Sequence, residues 1–295
     1  MFEHRTHEVN GQRIVAAHTG PANAPVMVML HGFPEYWEAW AAVAEHFAID
    51  HHVVLPDQRG CGRSSKPIGV ENYRPKHLAA DVVALLRAAS SGRRVILCGH
   101  DWGASVAYAV AFREPGLVSH LIIANGAHPA TFQRSLLARG AQRDASQYIE
   151  TLRDPASDER MREDGHRRTF RMLEKFSTCR WLDDATRERY RAIWQEALPT
   201  MIDWYRATPL RVPLPDAPDE SMPFTAEMRE RYRVRCPHLL LWGVEDTALL
   251  PASHEGLDDF ADDLTVRRLE GASHWLLHER PDEVAGLMRD WLATR

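Results

Sequence analysis

No stretch of the 295-residue sequence approaches the ~18 apolar residues of a membrane-spanning helix, and the opening residues, Met1 to Glu8, contain no apolar core of a secretory signal. The expected setting is the cytoplasm, with no membrane partner. Cysteine is scarce too: Cys61, Cys98, Cys179 and Cys236 are scattered without C-x-x-C spacing, which suggests neither a disulfide framework nor a zinc site. No block of Lys or Arg stands free of acids and the net charge is −5, so nucleic acid and anionic membranes are poor partners. Internal repeats and low-complexity tracts are missing. Among 16 histidines the pair most like metal ligands is His274 and His278, beside Glu279, and it lacks a third ligand at a workable spacing. These absences point away from metal and cofactor and leave a small-molecule substrate and water as the expected partners, with a homodimer left open.

What is present is material for a sizeable core: 44% of the residues are hydrophobic, enough for one large domain or a domain with an insertion. Residues 6–11 and 13–18 read as strands joined at Asn10-Gly11, a strong hairpin signal. Apolar runs at 25–31, 53–56, 95–99, 117–124 and 238–243 read as buried strands, 264–269 as the last strand, and helical periodicity occupies 37–46, 77–89 and 283–294. This alternation implies an α/β fold, a mostly parallel sheet with helices on both faces. From about 129 to 222 the sequence turns charge-rich and helix-favouring with no strand-like run. It reads as a helical lid inserted between two core segments, 1–128 and 223–295, and its interleaved charges read as a solvated face.

One stretch organises the rest. Val95 to Cys98 is buried-strand sequence that stops at Gly99-His100-Asp101-Trp102-Gly103, and a breaker-free apolar helix, Ala104 to Phe112, follows at once. The flanking glycines suit a strand turning abruptly into a helix, where backbones pack closely. Asp101 then stands at a helix N-terminus, where unpaired N–H groups and the helix dipole favour an anion. The arrangement is that of a nucleophile elbow, G-x-S-x-G, with Asp in place of Ser. A carboxylate attacking an acyl carbon would make only an anhydride, whereas attack on a saturated carbon bearing a leaving group makes an alkyl ester that water can later cleave. The expected substrate is an alkyl electrophile, and an ordinary esterase or lipase is disfavoured. The pentapeptide alone is equally compatible with an Asp that only caps the helix.

Two further groups fall at strand ends, Asp246 after 238–243 and His274 after 264–269, and the order Asp101, Asp246, His274 is the nucleophile, acid, histidine order of α/β-hydrolases. In such a triad His274 takes a proton from water while Asp246 orients the ring and stabilises its imidazolium. Backbone N–H groups of Phe33 and Trp102 are expected to form the oxyanion hole of the second step.

His31-Gly32-Phe33-Pro34-Glu35 with Trp37 and Trp40, Gly99-His100-Asp101-Trp102-Gly103, and Gly271-Ala272-Ser273-His274-Trp275 together resemble the soluble epoxide hydrolases of the α/β-hydrolase superfamily, over nearly the whole chain. The resemblance implies hydrolysis of an epoxide to a vicinal diol through an ester on Asp101, with two lid tyrosines holding and protonating the epoxide oxygen. The matching positions are Tyr148 and Tyr205. Substrate contacts are expected from Trp102, Tyr148, Tyr205 and Trp37. The family's loop has a cis bond before the residue matching Pro34, although trans is the commoner state of any X-Pro bond. Glu35 is expected to hydrogen-bond its loop rather than position water, Asp57 and Arg59 to belong to a structural loop, and His100 to be a packed neighbour. Tyr190, among Arg187, Glu188, Arg189 and Arg191, is expected to be exposed.

Haloalkane dehalogenases share the Asp-Trp pair but usually place a polar halide donor where Phe33 offers only its backbone. Fluoroacetate dehalogenases share His-Gly-Phe-Pro but clamp the substrate with Arg where Trp102 and Ser105 stand here. An opening epoxide leaves as an alkoxide and needs an acid, which a halide does not. The epoxide reading is therefore preferred. Dehalogenation by the same Asp, or ligand binding without catalysis on the same fold, are the alternatives.

Overall fold

The computed structural model describes all 295 residues. Strands β1 (Glu3–Val9) and β2 (Gln12–Thr19) pair antiparallel around Asn10 and Gly11, whose φ values of 52° and 72° are those a tight hairpin requires. The other strands are β3 (Val26–Leu30), β4 (His52–Pro56), β5 (Val95–His100), β6 (Val118–Ala124), β7 (His238–Gly243) and β8 (Leu264–Leu269). The sheet order is β1-β2-β4-β3-β5-β6-β7-β8, parallel from β4 to β8, with β2 antiparallel to β4. From β3 the chain moves to one side to make β4 and then crosses back to make β5. The carboxyl ends of β3 and β5 therefore flank the point where the strand order reverses, the place where parallel sheets bind ligands.

A strand covered on both faces must be apolar at every position, because successive side chains point to opposite sides. Val26, Val28 and Leu30 of β3 join one core, and Met27 and Met29 join the other. Helix α1 (Ala41–Phe47) covers the second face after a 3-10 turn over Trp37–Trp40, in place of the single helix that periodicity predicts for 37–46. Helices α2 (Pro75–Ser90) and α3 (Trp102–Arg113) cover the first. Pro75 opens α2 two residues ahead of the predicted start, since its missing N–H costs nothing in a first turn.

Between β6 and β7 the chain is helical, with α4 (Pro129–Leu137), α5 (Ala141–Ala145), α6 (Tyr148–Arg153), α7 (Ser157–Lys175), α8 (Asp184–Ala207) and α9 (Ala226–Arg231). Helix α8, capped by Asp183 accepting from the Thr186 N–H at 2.7 Å, is seated on the loops at the strand ends. Its Trp194 indole donates to the Pro34 carbonyl (2.6 Å), Thr200 to Gly60 (2.6 Å) and Trp204 to Arg59 (3.1 Å). That loop is itself fixed. Asp57 accepts from the Trp37 and Arg63 N–H groups, and Arg59 forms a buried two-pronged pair with Asp81 at 2.6 and 2.8 Å. Helices α10 (Leu276–Glu279) and α11 (Pro281–Leu292) close the chain, α11 on the face of α1. No helix is long and apolar enough to cross a membrane.

Candidate active site

Asp101 occupies the junction of β5 and α3 with φ 50° and ψ −120°, outside both helical and strand regions. The three glycines around it are there for space. A Cβ on Gly99 would strike the Gly103 carbonyl, one on Gly103 would strike the Leu30 and His31 carbonyls, and one on Gly32 would strike the Asp101 side chain. With β3 and β5 packed this closely, the Phe33 N–H donates to Asp101 Oδ1 at 2.8 Å. The Phe33-Pro34 bond is cis, as the family resemblance implies. Trp102 heads α3, its indole edge-on to the Tyr205 ring at 5.0 Å and 86°.

His274 is buried in the turn after β8, with Nδ1 donating to Asp246 Oδ2 at 2.8 Å and Nε2 lying 3.5 Å from Asp101 Oδ2. The three triad positions read from the strand ends thus converge. Asp246 is fixed by the N–H groups of Ala248 and Leu249, which donate to Oδ1 at 2.7 and 2.9 Å. Burial alone would lower the His274 pKa, but the Asp246 charge and the hydrogen bonds to Asp101 and Asp246 outweigh it and raise it to about 10.

A narrow, partly open pocket of about 30 Å³ lies over Asp101, lined by Asp101, Trp102, Ser105, Ala127, Phe132, Tyr148, Ile149, Tyr205, Leu210 and Leu249. Tyr148 opens α6 and Tyr205 lies near the end of α8, with ring centroids 6.2 Å apart. Burial raises both phenols above their ordinary pKa; the Asp101 charge adds to this for Tyr148, and Tyr148 and then Asp101 do so for Tyr205. Both stay protonated and available as donors. Trp37 does not join them. Its ring packs on Phe2 and His4 at 5.1 and 5.0 Å, and it is not part of the pocket lining.

A family profile described as the alpha/beta hydrolase fold matches residues 25–281. The chain belongs to the α/β-hydrolase superfamily. Epoxide hydrolase 3 of Xenopus tropicalis is 30% identical over 295 residues, which cover 96% of this chain and 75% of that protein. A solved structure described under novel epoxide hydrolases of the superfamily from metagenomes of hot environments is 35% identical, covers 100% of both chains and superposes with a TM-score of 0.90. The Bacillus megaterium epoxide hydrolase in complex with an inhibitor is 27% identical, covers 98% of this chain and 100% of that one, and has a TM-score of 0.85. This chain is a hydrolase of that group.

Behind Asp101, Asp246 and His274 lies a buried polar cluster that extends the expected role of Glu35. Glu35 is 0% exposed. It accepts from the Tyr190 hydroxyl at 3.1 Å and pairs with His278 Nε2 at 2.5 Å, and its other oxygen lies 3.2 Å from His100 Nδ1. Burial pushes the Glu35 carboxyl up, but His278 and His100 outweigh it and hold it well below the usual carboxylate range. His100 is more than packing, since its Nε2–H donates to the His274 carbonyl at 2.8 Å. His278 serves Glu35, its ring stacked on Trp181 at 3.9 Å, and no group of His, Cys, Asp and Glu is arranged to hold a metal ion.

Tyr190 corrects the expectation of exposure: it is 1% exposed. Its charged neighbours in sequence point outward, while Tyr190, Trp194, Ala197, Met201 and Tyr205 form the buried stripe of α8. Asn125 was not singled out by sequence at all. At the end of β6 it donates to Asp246 Oδ2 (2.7 Å) and the Ser273 carbonyl (3.0 Å) and accepts from the Gly243 N–H (2.7 Å), tying three strand ends together. A polar residue directly after an apolar strand was the available signal. Glu279 does similar work for the histidine turn, accepting from the Ser273 N–H and hydroxyl at 2.7 and 2.8 Å.

Proposed function

We propose that this hydrolase opens epoxides to vicinal diols in two steps, with Asp101 as nucleophile and the helical segment 129–222 acting as the lid that supplies the acids. Oδ2 of Asp101, the oxygen not engaged by Phe33, attacks a ring carbon; the carbon–oxygen bond of the ring breaks, and Tyr148 or Tyr205 gives its proton to the departing oxygen. The product of this step is an ester on Asp101. Its formation removes one of the two carboxylate charges that favour the His274 imidazolium, so the ring returns a proton to the phenolate and becomes the base for the next step.

Water then gives a proton to His274 Nε2 and adds to the Asp101 carboxyl carbon, while Oδ1 takes the charge between the N–H groups of Phe33 and Trp102. Collapse breaks the bond from carbon to Oδ2. The diol departs with Oδ2 and with the proton of the new carboxyl, leaving Asp101 ionised and His274 protonated. The observation that carries this reading is that Asp101 and two protonated phenols line one cavity whose other walls are apolar except for Ser105, while His274 reaches Asp101 from outside that lining. A leaving halide would give the phenols no proton to deliver.

The test is His274→Gln, which keeps the nucleophile and acids but removes the base. Mixed with an epoxide, this variant should gain the mass of one substrate molecule, and peptide mapping should place it on Asp101. Failure to modify Asp101 in both wild type and variant, with the diol still formed by wild type, would exclude the covalent route.

A further inference from the structure

The segment that joins α7 to α8, residues 176–183, lies in the helical insertion, yet it is fastened to the turn that carries His274. Thr178 makes two bonds across this boundary: its N–H donates to Glu279 Oε1 at 2.7 Å and its hydroxyl to the Gly271 carbonyl at 3.2 Å. Farther along the segment, the Trp181 ring stacks on His278 at 3.9 Å and 3°. Phe176 stands at the start of the segment, buried, with its ring 6.4 Å from that of His274 and 6.1 Å from that of Tyr148. The two-step reaction gives these ties no part.

Glu279 is where insertion and turn meet. Its Oε1 accepts from the Thr178 N–H and from the Ser273 hydroxyl (2.8 Å), and its Oε2 accepts from the Ser273 N–H (2.7 Å). One carboxylate therefore takes a donor from the insertion and two from the residue directly before His274, and hydrogen bonds to a charged acceptor are stronger than those between neutral groups. The turn is also held by its carbonyls. The Glu245 N–H donates to Ala272 at 2.9 Å, Asn125 to Ser273 at 3.0 Å and His100 to His274 at 2.8 Å. Those three bonds lie within the sheet domain and keep the turn folded, whereas the grip on the N–H and hydroxyl of Ser273 is shared with Thr178.

We propose that Glu279 is a positioning residue that couples the seating of segment 176–183 to the placement of His274, so that loosening this contact slows hydrolysis of the Asp101 ester and leaves ring opening nearly unchanged. The inference rests on the two-step epoxide reading. Ring opening needs Asp101, held by the Phe33 N–H, and the phenols, of which Tyr205 rides on a helix with its own anchors at Pro34, Gly60 and Arg59. Ester hydrolysis alone needs His274 Nε2 in line with a water and the ester carbon, and a misplacement of about 1 Å in such a geometry costs on the order of 10²-fold.

The experiment follows both steps in single turnovers of styrene oxide and of 1,2-epoxyhexane with enzyme in excess, reading the ester on the quenched protein by intact mass. Two variants of the full-length protein are compared with wild type. Glu279→Gln keeps the shape but has one acceptor oxygen, so it cannot serve both sides. Thr178→Val, at an exposed position, keeps the branched shape and removes only the bond to the Gly271 carbonyl. Ester hydrolysis should fall by ~10-fold or more in Glu279→Gln and by a smaller factor in Thr178→Val, with ring opening close to the wild-type rate in both, so that the ester accumulates. Equal slowing of the two steps, or unchanged hydrolysis in Glu279→Gln, overturns the positioning role. Slow hydrolysis in Glu279→Gln beside unchanged hydrolysis in Thr178→Val overturns the coupling to the insertion. Should Glu279→Gln fail to fold, Thr178→Val decides alone, unchanged hydrolysis overturning the proposal. Neither ester nor diol from wild type with either epoxide overturns the epoxide reading itself.

Discussion

At the scale of single residues, the acids carry the distinction between this reaction and other displacements at saturated carbon. In the proposed mechanism Tyr148 and Tyr205 each give one donor to the oxygen where charge develops, and loss of one such donor costs on the order of 10²-fold in rate. Tyr148→Phe and Tyr205→Phe should each slow alkylation by about that factor, and the double variant should be nearly inert, as read by single-turnover kinetics. The rings remain, so the edge-on contacts of Tyr205 with Phe33 and Trp102, both at 5.0 Å, persist and the melting temperature should hardly move. An unslowed double variant would remove the tyrosines from the chemistry. Asp101, Asp246 and His274 were legible in sequence because each closely follows a segment that reads as a strand and so lands at the same edge of the sheet. Glu35 was not legible as the hub of a cluster, because its partners Tyr190 and His278 stand 155 and 243 positions away and no local pattern joins them.

At the scale of elements, the strands show where periodicity suffices and where it does not. The run at 238–243 coincides with β7, since a strand buried in a parallel sheet must be nearly continuously apolar, whereas β8 at the sheet edge coincides with 264–269 although Arg267 and Arg268 are exposed and only Leu269 is buried. Trp37 was placed among the substrate contacts by the family resemblance alone, and its ring packs on Phe2 and His4 instead; periodicity for its part did not separate the 3-10 turn at 37–40 from α1. The antiparallel edge carries a feature that alternation alone does not reveal, a row of histidines across β1, β2 and β4. His18 shares protons with His7 and with His52, both at 3.0 Å.

Burial, then the charges of His7 and His52, hold His18 down at about 3, and burial followed by Arg5 lowers both neighbours. Arg93 also opposes protonation of His52, while Glu3 favours it weakly at His18. These folded-state values lie below the ordinary ~6.5, so the row contributes stability when neutral and loses it as pH falls from about 6.5 toward 3, where only the unfolded chain accepts the protons. The melting temperature should drop by a few degrees between pH 7.5 and pH 5, and His18→Gln should flatten that drop whatever its own stability at pH 7.5. Parallel drops in the two proteins would locate the acid sensitivity elsewhere.

At the scale of the whole molecule, the proposed mechanism draws its nucleophile, acid and base from the strand ends of the sheet and its proton donors from the helical insertion. The middle of the sheet was readable because β3, β5 and β7 are nearly continuous apolar runs. The seating of α8 was not, because it depends on indole and hydroxyl donors reaching loop carbonyls as far apart in sequence as Trp194 and Pro34. That division of labour predicts where the oxygen atoms go. If Asp101 attacks carbon and water attacks the resulting ester, the oxygen added to the first diol comes from the protein. The most direct measurement is therefore a single turnover of an epoxide in ¹⁸O-labelled water with enzyme in excess, followed by mass analysis of the diol and of the peptide containing Asp101. The expected result is an unlabelled diol and one heavy oxygen in Asp101; a labelled diol with an unlabelled Asp101 would mean that water opens the ring itself and would contradict the covalent mechanism.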